Sequence, residues 1–260
     1  VLAVLAWFLL IELFGLAAFP ILFRSGQTLA NSHALADGGY AFAKVIGLLI
    51  VSVLAWWLAS IRVALFSAEL IWLILGFLVV ISAIVTYKSR STLFTFIKSR
   101  RAILLAIELI FLLTFVFWLA VRIANPDLWH PAMGGEKPMD FAFFNAILKS
   151  SYFPPMDPWF AEGSMNYYYL GWVIFGTPVK ALGITPSIAY NLIIPTIAAL
   201  TAMGAAGVAA TLVNSRAKNA DIKSTRLTIM AAILGAIFVV FIGNGNEIRV
   251  LIPAWQQLGS

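Results

Sequence analysis

Apolar residues fill six long stretches of this chain, at about 1–23, 43–61, 64–87, 102–124, 188–213 and 227–243. Each is long enough to cross, or nearly cross, a hydrocarbon layer about 30 Å thick at roughly 1.5 Å per helical residue. A seventh, shorter run over 167–182 holds Gly171, Gly176, Pro178 and Lys180 and opens with three tyrosines. The pattern predicts an all-α, polytopic transmembrane helical bundle of about six spans, with most of the polar chemistry lying between the fourth and fifth long runs.

The polar segments orient the spans. Residues 88–101 hold Lys88, Arg90, Lys98, Arg100 and Arg101 and no acid, and residues 214–226 hold Arg216, Lys218, Lys223 and Arg226 against Asp221. Both are expected on the cytoplasmic side, where Lys and Arg accumulate. Residues 125–166 carry Asp127, Glu136, Asp140, Asp157 and Glu162 against Lys137 and Lys149, so this segment is expected outside. If 167–182 crossed the bilayer, the basic segment 214–226 would also lie outside. The run is therefore expected to lie in the outer interface or to dip in and return. Its 16 residues would cover only about 24 Å, and its tyrosines suit the headgroup zone. The expected organisation is a membrane region over 1–124, an outer loop with short interfacial helices over 125–187, and further spans over 188–260. The N-terminus and residue 244 would lie outside.

Composition fits this reading. The chain is 62% hydrophobic and 11% charged, too few charges to cover a soluble domain, so the lipid bilayer is part of its solvent. The net charge of +6 then belongs to cytoplasmic segments and not to nucleic-acid binding. The absence of cysteine excludes disulfides, thiolate metal sites and thiol nucleophiles. The first run lacks a basic leader and exceeds a signal-peptide core, so it reads as a retained helix. The start without Met and the stop just past an apolar run read as a piece of something longer. Glu12, Glu69 and Glu108 fall inside apolar runs. Such carboxylates either serve function or sit near helix ends and bond neighbouring helices.

In the acidic loop, Asp140 follows Pro138 and opens a helix-like stretch. An acid there is a normal cap, worth roughly 1 kcal/mol. Pro154, Pro155 and Pro158 stiffen an extended segment and fix where Asp157 points. Carboxylates and aromatic rings together suit a sugar, because rings stack on its apolar face while carboxylates bind or deprotonate hydroxyls. Plainer roles stand beside these: a cap for Asp140, turns for Asp127 and Asp157, a loop position for His130, and an interfacial belt for Tyr167, Tyr168 and Tyr169.

Glu136-Lys-Pro-Met-Asp-Phe-Ala-Phe-Phe-Asn-Ala-Ile-Leu-Lys-Ser, Tyr152-Phe-Pro-Pro-Met-Asp-Pro-Trp-Phe-Ala and Asn166-Tyr-Tyr-Tyr resemble the signature of the Chlor_Arch_YYY family of prokaryotic multi-pass membrane proteins. The resemblance is densest over 125–195 and looser around Asp37-Gly-Gly-Tyr-Ala-Phe-Ala-Lys44. The family's layout is in turn similar to the GT-C glycosyltransferases, which move a sugar from a lipid phosphate at the outer face of the membrane. The resemblance implies a polyprenyl-phosphate-linked sugar donor used at the outer face of a prokaryotic cytoplasmic membrane. It makes Asp140 the base, with Glu136 and Asp157 assisting by binding acceptor hydroxyls or a candidate divalent cation. Lys137 and Arg122 would meet the donor phosphate. Asp127, His130, Trp159, Glu162, Asn166 and Tyr167–Tyr169 would line the substrate. Two departures stand out. About three spans precede the one matched to the first GT-C helix, and Glu136 and Asp140 stand four apart where the family has a tighter acidic pair.

Two other classes compete. A transporter or channel would use Glu12, Glu69 and Glu108, with helix breaks at Pro20, Pro195 or the glycines of 204–207. An assembly protein would use the loop to dock a partner. Convergence of Glu136, Asp140 and Asp157 on one cavity would favour the enzyme, and a central cavity lined by the glutamates would favour the transporter.

Overall fold

A chain this apolar must satisfy its backbone polar groups within itself, and helices do that without a neighbouring strand. The computed structural model describes residues 1–30, 35–128, 135–166, 169–219 and 225–242, with the backbone alone at 28–30 and 216–219. Its helices are α1 (Leu2–Ala30), α2 (Tyr40–Ser60), α3 (Ala68–Ala124), α4 (Lys137–Lys149), α5 (Leu170–Leu182), α6 (Pro186–Asn219) and α7 (Thr225–Ile237), which continues as a π-helical turn over Phe238–Ile242. The described residues contain no strand beyond a single bridge between Met156 and Ser164. The fold is a polytopic bundle in which α1, α2, α3, α6 and α7 are long and apolar enough to cross a membrane.

The basic segment 88–101, expected as a connection between two spans, is instead helical and lies within the 57 residues of α3. A straight helix of that length would reach about 85 Å, nearly three hydrocarbon thicknesses. It bends at Ser89, where φ is −114° and ψ is 15°. The Ser89 hydroxyl donates to the Val85 carbonyl at 2.6 Å, a back-bond that favours bending. The two arms run along α1 in opposite directions. Leu13, Leu16 and Pro20 face Val79, Ser82 and Tyr87 of the first arm, while Phe8 meets Phe111 and Phe115 of the second. The apolar runs 64–87 and 102–124 thus become two arms of one bent helix. Beyond the bend, Lys98 and Arg101 are exposed, while Arg100 is half-buried and bonds Asn214.

The contacts sort the bundle into two ends. At the loop end, Phe66 N donates to Ser151 O at 2.8 Å. There Trp72 Nε1 donates to Ala181 O at 2.9 Å, and Arg122 bonds Asn191. At the basic end, Phe23 packs on Phe96 at 4.9 Å and Arg100 donates to Asn214 at 3.1 Å. Helix α5 has 13 residues, about 20 Å, and is too short to cross. It starts beside Trp56, whose indole donates to Tyr169 Oη at 3.3 Å, and closes on Gly183 at φ 63°, the left-handed terminus glycine allows. Tyr190, in the second turn of α6, stacks on Trp172 near the start of α5. Both α5 and α6 therefore enter from the loop end.

Small residues let the spans approach, as membrane helix contacts require. A Cβ at Gly47 would strike the Phe14 carbonyl, and one at Gly15 the Lys44 side chain. Across the bundle, the buried Trp7 indole donates to Thr196 Oγ1 at 2.8 Å and ties α1 to α6. Leu5, Leu9, Leu16, Leu105, Leu109 and Leu113 remain exposed, the outward face a lipid solvent accepts.

Candidate functional site at the loop end

Helix α4 starts at Lys137, earlier than the sequence pattern placed it, with Glu136 at the cap position and no side-chain cap bond. Gly135, at φ 56°, turns the chain into it, and Pro138 in the first turn needs no backbone donor there. Asp140 is therefore a first-turn residue and not the cap itself; its N–H already bonds the Glu136 carbonyl at 2.9 Å.

The two faces of α4 differ. Phe144 and Ile147, one and two turns beyond Asp140, are fully buried. Phe144 packs on Trp172 and Tyr190 with ring centres 5.9 and 6.1 Å apart, and Phe141 meets Tyr190 edge-on at 5.8 Å. Asp140 shares this inward side. Burial, and after it the charge of Glu136, raises its pKa above the ordinary Asp value. The Tyr190 hydroxyl lies within electrostatic range of both Asp140 and Arg122.

Arg122 occupies the last turn of α3. Its Nε and Nη2 donate to Asn191 Oδ1 at 2.8 and 2.5 Å, and Nη2 reaches the Asp127 carbonyl at 3.3 Å. The Asn191 amide nitrogen in turn donates to Pro126 O at 3.2 Å and Ser187 O at 3.0 Å. One amide thus fastens the exit of α3 to the entrance of α6 and holds a cation against neutral oxygens. The structure brings Asp140, Arg122 and the Asp127 backbone around Tyr190 and Asn191.

Asp157 is elsewhere. It lines a groove of about 580 Å³ on the other face of α4, with Asn145, Lys149, Ser150, Tyr152 and Met156. Its carboxylate accepts from Trp159 N at 2.8 Å. Its N–H bonds Gly163 O at 2.9 Å, closing a small hairpin with Met165 N–Pro155 O at 2.8 Å. This is the turn geometry that aspartate favours. Trp159 and Phe160 stand 65% and 70% exposed at the hairpin's tip. Glu162 (φ 65°) and Asn166 are exposed, and Lys137 is half-buried. Tyr169 stacks on Phe153 at 5.9 Å. His130, Tyr167 and Tyr168 lie outside the described residues. Among the described residues, no group of three His, Asp or Glu side chains is placed to hold a metal ion.

Several residues with chemical weight escaped the sequence reading. Tyr190 and Asn191 sit near the start of α6 and look like ordinary span residues. Lys180 donates to Ser150 O at 2.6 Å and lies 4.6 Å from the Phe66 ring centre; burial pulls it down to about 8. Toward the basic end, Lys44 is only 2% exposed and sits between Glu12 and Glu108, with Nζ–O distances of 2.5 and 2.8 Å. Tyr40 donates to Glu108 at 2.7 Å, and Phe111 lies 4.1 Å from the ammonium. A lysine within an apolar run demands counter-charges, and that demand was the available signal. Glu69 stands apart, in the first turn of α3 at the loop end, where the helix N-terminus favours an acid.

No curated protein and no solved structure matches the chain. A family model described as uncharacterized membrane protein (DUF2298) matches residues 50–259, and with most of its length so matched the protein belongs to that family.

Proposed function

We propose that this protein is a GT-C-like glycosyltransferase that takes its sugar from a polyprenyl-phosphate donor at the loop end of the bundle, on the outer face of the membrane. The observation that carries this reading is that a carboxylate and a guanidinium, Asp140 and Arg122, both lie within electrostatic range of the Tyr190 hydroxyl, with Arg122 held by the neighbouring Asn191. Asp140 takes the proton from an acceptor hydroxyl. The hydroxyl oxygen then bonds the anomeric carbon as the bond from that carbon to the donor phosphate breaks. The bonding pair leaves on the phosphate oxygen, and Arg122 stabilises the charge that develops there. A raised Asp140 pKa makes the ionised group a stronger base, which suits this step. Glu136 contributes through its charge on Asp140. Asp157 lines a separate groove across α4, so the three acids do not converge on one cavity and the reading rests on Asp140 and Arg122.

The transporter reading has less support. Glu12 and Glu108 are already engaged by Lys44, and Glu69 sits at the opposite end of the bundle.

Asp140→Asn in the full-length protein tests the proposal. Sugar transfer from a polyprenyl-phospho-sugar should fall roughly 10²–10⁴-fold with folding preserved, the size of a lost general base. A correctly folded variant that keeps more than about a tenth of wild-type turnover defeats the assignment.

A further inference from the structure

A furrow of about 500 Å³ runs between α1 and the first arm of α3, and its wall is almost wholly apolar. Leu13, Leu16 and Pro20 line it from α1, and Val79, Ala83 and Arg90 from α3. Both helices advance toward the basic end, where Phe23 meets Phe96, so the furrow follows one helix pair in one direction. From Val79 to Arg90 the helix rises about 17 Å. That is close to one leaflet's share of a hydrocarbon core about 30 Å thick. Leu16 is 62% exposed and Ala83 is exposed, so the furrow is open to lipid along its side.

Arg90 is the one charged residue among those lining the furrow. Ser82, Thr86, Arg90 and Phe94, all on its wall, stand four apart and form one row on the helix. The guanidinium therefore belongs to the furrow. It lies 5.3 Å from the Tyr87 ring centre, a contact through its flat face that leaves its N–H edge for an anion. Among the described residues no carboxylate pairs with Arg90; the ion pairs belong to Lys44. The segment 88–101 carries Lys88, Lys98, Arg100 and Arg101 besides, and no acid, so this end of the bundle draws anions. The furrow between the second arm of α3 and α7 is as large, about 570 Å³, yet has no charged residue on its wall.

We infer that this furrow is a site for one anionic phospholipid from the leaflet at the basic end. An acyl chain lies along Leu13–Pro20 and Val79–Ala83, and the phosphate sits on Arg90. The one-leaflet depth and the cation at its outer end fit a lipid. They do not fit a second copy of this chain, whose matching face would set Arg90 against Arg90 across a two-fold axis. A zwitterionic lipid brings its own ammonium, which competes with Arg90 for the phosphate. The site is independent of the sugar-transfer reading and lies at the opposite end of the bundle from Asp140.

The test is photo-crosslinking of the full-length protein in phosphatidylcholine nanodiscs, with phosphatidylglycerol or phosphatidylcholine carrying a diazirine on one acyl chain, followed by peptide mapping. The phosphatidylglycerol probe is expected to label 13–20 and 79–94 several-fold more than the phosphatidylcholine probe. The uncharged furrow of 106–117 and 229–241 should take both probes equally and serves as the internal reference. Arg90→Gln should lower phosphatidylglycerol labelling about fivefold, the size of one basic residue's pull on an anionic lipid. Ala83→Trp, which fills the furrow from an exposed position, should lower it as far, and either variant alone suffices. Arg101→Gln removes an exposed cation from the same basic segment but not from the furrow wall, and should label like the wild type. Equal labelling by the two probes would overturn the site. So would equal losses in Arg90→Gln and Arg101→Gln, which would reduce the effect to general surface attraction. Labelling unchanged in Ala83→Trp, or crosslinks joining two copies of the chain through 13–20 and 79–94, would overturn it as well.

Discussion

The Lys44 ammonium lies 2.8 Å from Glu108 Oε1, with Glu12 on its other flank and the Phe111 ring against it. Three helices contribute one charged side chain each, and the Lys44 side chain is buried. Taking out one partner of such a network costs more than the network contributes, because the remaining charges lose their solvation and gain nothing.

Lys44→Met is therefore expected to destabilise the protein by about 3 kcal/mol, the lower end for a buried pair, since both glutamates keep some exposed surface. Adding Glu12→Gln and Glu108→Gln should recover most of the loss. Thermal unfolding in detergent would show it, and an unshifted midpoint for Lys44→Met would contradict the clamp.

The crossing of α1 and α2 depends on Gly47. Its missing Cβ leaves room for the Phe14 carbonyl, so Gly47→Leu must push the two helices apart. A loss of several kcal/mol, or failure to accumulate in the membrane, is expected. Gly76→Leu is the control, because nothing lies within 4 Å of that position; equal expression of the two variants would argue against close packing at Gly47.

Lys180 supplies a pH dependence. Burial lowers it to about 8, below the roughly 10.4 of an unfolded lysine. Between those values the unfolded chain binds more protons, so stability rises with pH across the window. The Ser150 carbonyl and the Phe66 ring favour the ammonium and moderate the slope. Limited proteolysis of the loop between α4 and α5 should slow from about pH 8 to pH 10. Lys180→Met should flatten that profile, and an unchanged slope in the variant would place the titration elsewhere.

Sidedness follows from the charge distribution. With no native cysteine, Met133→Cys should react with an impermeant maleimide on sealed cells and Asn219→Cys should not. The reverse result would invert the topology and remove the loop-end site from the outer face.

Hydrophobic run length gave the spans closely, because a lipid solvent leaves little choice of element. The bend at Ser89 was not legible. Five basic residues over 88–101 read as a connection, and nothing in their pattern says that the helix continues through them. The loop was legible in part. Pro138 and the acids near it marked the start of α4, but its exact first turn placed Asp140 inside the helix. The separation of Asp140 from Asp157 depends on which face of α4 packs inward, which Trp172 and Tyr190 decide from another helix. Asn191 shows the same limit, since its importance comes from a partner 69 positions away in the chain.

The bent helix α3 also has the geometry of two arms meeting at one pivot, Ser89. Its first arm ends on α5 through Trp72 and Ala181, and its second ends on α6 through Arg122 and Asn191. The tips therefore hold the platform of α4 and α5 from two sides, while the pivot sits among the basic residues at the other end. An arm of about 30 Å converts a change of about 5° at the pivot into about 3 Å at the tip. One backbone thus carries both contacts, so a change in the bend would displace Trp72 and Arg122 together.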